Sequence, residues 1–164
     1  MIRIQLGSNN LNGTLPDLRG LPKLQSLYLS NNQLTGTIPD FSGLPKLLGL
    51  GLHNNQLTGA IPDFSGLPEL DSLDLSKNQL TGAIPDFSGL PDLKYLDLSK
   101  NQLTGAIPDF TALTRLEALD IRNNKVCKDT NIDYTKWRIK SAKFGDGTSW
   151  QAQLKAFPIC SGND

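Results

Sequence analysis

The stretch from Leu70 to Asp92, LDSLDLSKNQLTGAIPDFSGLPD, decides how this chain folds. Its opening, Ser72-Leu73-Asp74-Leu75, alternates polar and apolar residues, the period-two pattern of a half-buried strand. Asn78 stands where the chain has to turn, and its side-chain amide bonds backbone groups that a tight turn leaves unpaired. Leu80 returns to the core. Gly82 permits a backbone that a Cβ would hinder, and Pro85 stops a strand or helix from continuing. Ile84, Phe87 and Leu90 fill the far side of the coil, and Gly89-Leu90-Pro91 turns the chain into the next strand.

That unit is written again and again. Asn9, Asn32, Asn55, Asn78, Asn101 and Asn124 follow one another at intervals of 23 residues, with their neighbours in register. The six units begin at Met1, Leu24, Leu47, Leu70, Leu93 and Leu116, the last trailing off after Cys127. A fixed period of this length marks a solenoid, in which a unit buries its apolar side only by stacking on its neighbours. Stacking turns positions into columns. Leu27, Leu50, Leu73, Leu96 and Leu119 form one expected buried row with Ile4 at its end. Leu6, Leu29, Leu52, Leu75, Leu98 and Ile121 form another. Phe41, Phe64, Phe87 and Phe110 make an aromatic spine on the outer side, with Leu18 as the substitute in the first unit. The asparagines are expected to form a hydrogen-bonded ladder inside, and strands about 4.8 Å apart a parallel sheet. Residues 1–126 then hold the repeats and residues 127–164 a C-terminal cap, both within one domain.

The series Leu24-Leu27-Leu29-Asn32-Leu34-Gly36-Ile38-Pro39 spells LxxLxLxxNxLxGxIP and recurs from Leu47, Leu70 and Leu93. This resembles the leucine-rich repeat family, in the class known from plant receptor-kinase ectodomains and polygalacturonase inhibitors, with relatives in bacteria. The resemblance implies an α/β repeat solenoid: a right-handed arc with a parallel β-sheet on the concave face and an irregular or 3-10 convex side. A short helical C-terminal cap completes the expected fold. It also implies ligand recognition on the concave face. Two features depart from the plant pattern. The repeats run 23 residues where that class usually runs about 24. The paired-cysteine cap that precedes the first plant repeat is missing, and Met1 stands at the first leucine position of a unit. The expectation is therefore a trimmed piece of a longer chain, or an assembled or designed one.

Cys127 and Cys160 bracket a segment without the repeat signature. Trp150, Leu154 and Phe157 are spaced for one face of a short helix, and Tyr134, Trp137, Ile139 and Phe144 add apolar surface. This tail is expected to close the C-terminal end of the solenoid, pinned by a Cys127–Cys160 disulfide worth about 3–4 kcal/mol in the chain-entropy model. The alternative is a pair of unpaired thiols in a cytosolic protein. A bridge points to secretion or a cell surface, although no signal peptide stands in this sequence. At the other end, Ile4 and Leu6 are expected on an unpaired edge strand beside exposed Leu11, Leu15 and Leu18, which invites self-association.

The search for chemistry returns little. Sixteen Lys+Arg balance sixteen Asp+Glu, so no basic field is present to hold nucleic acid. The richest apolar run, around Leu47 to Leu52, falls far short of the roughly 20 residues that span a bilayer. Phosphate loops, nucleophile elbows and metal-ligand clusters are absent from the sequence, so neither an enzyme nor a cofactor or metal is expected. Asp74, Asp97 and Asp120 share a column in which neighbouring carboxylates would lie about 5 Å apart. Such a file suits acid–base work or a cation. Lys77, Lys100 and Arg122 follow closely enough to make a self-neutralised, solvated face the plainer reading.

Recognition is the signal that remains, because the core columns hardly change while the strand-face columns do. One reads Gln5, Tyr28, Gly51, Asp74, Asp97, Asp120; the next reads Gly7, Ser30, His53, Ser76, Ser99, Arg122; a third reads Arg3, Ser26, Gly49, Ser72, Tyr95, Ala118. Gly49 and Gly51 are expected to leave a shallow depression beside Tyr28 and His53, the only histidine. Candidate contacts are Tyr28, His53, Asp74, Tyr95, Asp97, Lys100, Asp120 and Arg122, for a protein or peptide ligand, with carbohydrate as a further class. Two other readings stand beside this one. Thr35, Thr58, Thr81 and Thr104, flanked by Gln33, Gln56, Gln79 and Gln102, form a regular array of the kind that matches an ice lattice. The near-identical repeats also suit a consensus scaffold with no natural ligand. Asn12-Gly13-Thr14 is the one glycosylation sequon.

Overall fold

In each repeat only a short apolar-centred segment is extended, because the chain must turn again at the following asparagine. The computed structural model describes residues 2–137, 139 and 149–161, so the Met1 and Phe144 readings lie outside the described residues. Ile2–Gln5, Leu24–Tyr28, Gly49–Gly51, Ser72–Asp74, Tyr95–Asp97 and Ala118–Asp120 form one six-stranded parallel sheet in chain order. Leu27, Leu50, Leu73, Leu96 and Leu119 stand directly opposite one another across it, with Ile4 opposite Leu27. These leucines and the row Leu29, Leu52, Leu75, Leu98 and Ile121 are buried, whereas Leu6, at the open end of the second row, is 45% exposed.

The asparagine ladder is built from side chain to backbone. Asn78 Nδ2 donates to the carbonyls of Leu75 in its own repeat (3.1 Å) and Leu52 in the preceding one (3.1 Å). Its Oδ1 accepts the N–H of Leu57, also in the preceding repeat, at 3.0 Å. Asn55, Asn101 and Asn124 repeat this pattern on their own neighbours. Each rung satisfies buried backbone groups that no strand reaches, and joins two coils while doing so.

The outer side turns sharply by a device repeated with the period. Asp40, Asp63 and Asp86 each accept the N–H of the serine two residues on, at 2.9 Å. Between them Phe41, Phe64 and Phe87 adopt the left-handed conformation, with φ of 53°, 54° and 52°. That conformation is unfavourable for a residue with a Cβ; here the bracketing hydrogen bond and the burial of the ring offset it. The same bonds hold the Asp40 and Asp86 carboxyls below the usual carboxylate range. Two tight turns follow, Leu44 N–H to the Phe41 carbonyl and Leu47 N–H to the Leu44 carbonyl.

Between the main sheet and these turns lies a second layer that the sequence pattern did not announce. Thr58–Gly59, Gln79–Gly82, Gln102–Ala106 and Lys125–Cys127 pair in parallel, as do Asn12–Thr14 and Gln33–Thr35. Its register is offset: Thr81 faces Gln102, Thr58 faces Gln79, and Thr104 faces Lys125. The threonines therefore do not form a straight file across the strands.

The C-terminal end is covered as expected in outline. Cys127 and Cys160 are bonded across a separation of 33 residues. Trp150–Ala156 is a short helix, N-capped by Ser149, whose hydroxyl accepts the Ala152 N–H. Its buried face is Trp150 with Gln153, followed by Phe157, while Leu154 is only half-buried. Gln153 points inward because its Nε2 donates to the carbonyl of Leu119 at 3.0 Å, on the last strand of the sheet. The phenylalanine spine runs on into this cap, with ring centroids 5.2 Å apart for Phe110–Trp137 and 5.1 Å for Trp137–Trp150.

At the opposite end one expectation changes. Leu15 is buried and Leu11 and Leu18 are half-buried against the core, so the apolar surface left open there is Ile2, Leu6 and Leu21.

Asn78→Ala removes four buried hydrogen bonds and leaves backbone partners unsatisfied, and is expected to cost about 2–4 kcal/mol in urea unfolding. Asn32→Ala, at a half-exposed rung, is expected to cost less than half as much; equal losses would count against the ladder as the main stacking bond.

Candidate ligand-binding face

The main sheet brings the three variable columns side by side. Ser26, Gly49, Ser72, Tyr95 and Ala118 are direct neighbours across the strands, as are Tyr28, Gly51, Asp74, Asp97 and Asp120. Two aromatic rings stand out from this surface, Tyr28 at 37% and Tyr95 at 38% exposure.

The expected depression at Gly49 and Gly51 is filled. The Tyr28 ring lies across the next strand, so that a Cβ on Gly51 would come within 2.6 Å of its Cδ1 and one on Gly49 would strike its hydroxyl. The two glycines give the ring a flat bed. Tyr28 thus offers one face and its edge to solvent, a shape suited to stacking.

The carboxylates of the Asp column differ in their company. Asp120 is 3% exposed, and Arg122 covers it with Nε and Nη2 hydrogen bonds at 3.0 and 2.6 Å. Asp74 has one oxygen bonded to the N–H and hydroxyl of Ser76, and the other lies 2.9 Å from His53 Nδ1. Asp97 accepts the Ser99 N–H at 2.9 Å and, among the described residues, has no cation beside it. Burial, chiefly, with the Asp74 and Asp120 charges on either side, pushes its carboxyl from 3.8 up to about 6. Lys77 and Lys100 sit on the rim in left-handed turns, exposed and outside every ion pair described, so the self-neutralised face is realised only at Asp120.

The family pattern described as Leucine Rich repeats (2 copies) matches residues 22–66, 68–104 and 91–134. This chain belongs to the leucine-rich repeat family. It is 41% identical to a chain in the crystal structure of the BIR3–SERK2 complex from Arabidopsis thaliana, with a TM-score of 0.70, covering 77% of this chain and 69% of that one. Pollen Receptor Kinase 3 is 37% identical with a TM-score of 0.73, over 78% of this chain and 64% of that one. The Arabidopsis HAESA ectodomain, solved with the peptide hormone ligand IDA, is 36% identical with a TM-score of 0.72; this chain is covered over 77% but spans only 22% of it. No curated protein sequence matches the chain. Among the described residues, no helix is long and apolar enough to cross a membrane.

In this leucine-rich repeat chain, then, the structure gathers Tyr28, His53 and Asp74 at one side of the concave face and Tyr95 and Asp97 at the other. It sets Lys100 on the rim and locks Asp120 and Arg122 together. Sequence reasoning missed how Tyr28 lies, although two glycines flanking Leu50 on the neighbouring strand were the available signal.

An Asp whose folded pKa is raised binds its proton more tightly in the folded state, so stability falls as pH rises between about 4 and 6 and stays lowered above that range. Asp97→Asn keeps an acceptor for the Ser99 N–H but removes the charge. It is expected to gain about 1–2 kcal/mol near neutral pH, discounted for remaining solvent contact, and to flatten the fall in urea-unfolding stability over that window. An unaltered slope would show that Asp97 ionises freely.

Proposed function

We propose that this chain is a non-enzymatic, extracellular recognition module that binds a protein or peptide through the concave strand face. The observation that carries the reading is the contrast between buried columns of constant leucine and a neighbouring surface of changing residues, with two tyrosine rings exposed on it. Large aromatic residues on an otherwise polar surface are typical binding anchors. The related HAESA ectodomain was solved with a peptide hormone, and the related RGFR1, a plant peptide hormone receptor 43% identical over 73% of this chain, with RGF2. The repeats and the C-terminal cap act here as one unit, the cap sealing the stack so that the sheet stays rigid.

A peptide-display selection on this chain tests the reading. Its comparison is a variant carrying Tyr28→Ala, His53→Ala, Tyr95→Ala and Asp97→Ala, all on side chains outside the core. Selected peptides are expected to lose at least about tenfold in affinity on the variant. Retained affinity would move the site off the sheet.

The open edge of Ile2–Gln5 supports a second, weaker contact. Among the described residues it pairs with a strand only on the Leu24–Tyr28 side, and Ile2 within it is 49% exposed. Sedimentation velocity is expected to show a monomer–dimer equilibrium that Ile2→Lys suppresses. A monomer at every concentration would dismiss it.

A further inference from the structure

Resting on the extracellular reading above, we infer that Asn12 is a modification site, carrying an N-linked oligosaccharide on the flank of the solenoid. The triplet Asn12-Gly13-Thr14 is the acceptor pattern for such transfer, which needs a hydroxyl two residues after the asparagine. The same place in the second repeat reads Thr35-Gly36-Thr37, and in the next three Thr58-Gly59-Ala60, Thr81-Gly82-Ala83 and Thr104-Gly105-Ala106. The first repeat thus departs from its neighbours at the one position that creates an acceptor. The departure serves no purpose in the stack: the ladder asparagines hold backbone groups of adjoining coils, whereas Asn12 stands outside the ladder.

The fold leaves the triplet open. Asn12–Thr14 belongs to the second layer, paired in parallel with Gln33–Thr35, so it lies on the flank and not among the concave columns. All three residues are exposed, and among the described residues neither the Asn12 carboxamide nor the Thr14 hydroxyl enters a hydrogen bond. Thr14 packs by its methyl group, which lies 3.0 Å from where a Cβ on Gly36 would stand. Gly13 has a φ of 86°, and the space where its own Cβ would stand is empty out to 4 Å, so nothing crowds the linkage. This openness belongs to the column: Thr58 and Thr81 occupy the place of Asn12 with coils on both sides, and they too are exposed. In the transfer, Nδ2 of Asn12 attacks C1 of an oligosaccharide carried on a lipid pyrophosphate, the co-reactant of the secretory compartment. The N–C bond forms as the bond from C1 to the phosphate oxygen breaks. The amide gives one proton to a base of the transferase, the lipid pyrophosphate leaves, and no electrons are gained or lost.

The test is secretion of the whole chain from plant cells behind a cleavable signal peptide, with mass measured before and after an amidase that releases N-linked glycans. The unaltered chain is expected to carry a glycan mass that the amidase removes, leaving an aspartate at residue 12 that is absent without the enzyme. Asn12→Gln and Thr14→Ala are each expected to lose the added mass completely, and Thr14→Ser to keep it. Thr35→Asn, which completes a second Asn-Gly-Thr on the adjacent coil, is expected to gain one further glycan. Melts followed by circular dichroism identify a variant that fails to fold, and the peptide map of the unaltered chain then decides. A Thr35→Asn chain glycosylated at residue 35 and bare at residue 12 would overturn the inference while the extracellular reading stands. A secreted chain bare at both positions, with the Cys127–Cys160 bridge formed, would overturn it as well. A chain that never forms that bridge on the secretory route would count against the extracellular reading itself, and this inference would fall with it.

Discussion

A backbone carbonyl shared by two asparagine side chains holds this stack together. The Leu75 carbonyl accepts from Asn78 in its own repeat and from Asn101 in the next, at 3.1 and 3.0 Å, and the Leu52 carbonyl is shared likewise by Asn55 and Asn78. A coil with one short strand cannot satisfy its own turn, and burying that turn unpaired would cost more than its leucines return. The shared carbonyl removes the conflict, but only when the next repeat brings its asparagine to the same height. Equal repeat length is therefore a requirement of hydrogen bonding as much as of packing. The concave columns inherit their alignment from it.

Much of the fold was legible for that reason. A position such as Leu73 or Phe87 has a weak signal alone, yet its recurrence every 23 residues fixed its column, its neighbours and its burial. What the pattern could not show lies where the period is silent. The second sheet is made of Gln-Leu-Thr-Gly segments whose single buried leucine carries too little alternation to mark a strand, and its offset register has no counterpart in sequence spacing. Gln153 reads as a surface residue of a helix, and becomes a core residue because its amide donates to the Leu119 carbonyl on a strand that lies, among the described residues, at the edge of the sheet. At the site, the glycines at 49 and 51 told of a missing side chain but not that Tyr28 would lean into the space.

The two ends of the stack meet the same problem in different ways. At the C-terminal end the Phe87–Phe110 stack is prolonged by Trp137 and Trp150, so the spine finishes in rings large enough to cover it. The disulfide then fixes the cap strand by strand: the Lys128 N–H donates to the Pro158 carbonyl and the Cys160 N–H to the Lys128 carbonyl. At the N-terminal end Leu15 folds under while Ile2 and Leu6 stay open. The covered end of the stack thus lies nearer Tyr95 than Tyr28.

Since the asparagine ladder tolerates only whole repeats, the distance between any two features on the concave face can change only in steps of one strand. Duplication or loss of a repeat between Tyr28 and Tyr95 would lengthen or shorten their separation by about 4.8 Å and leave every other contact untouched. Such a surface behaves like a ruler with fixed gradations. Point substitution alters what stands at each mark, while recombination alters how many marks lie between, and the two can be selected independently.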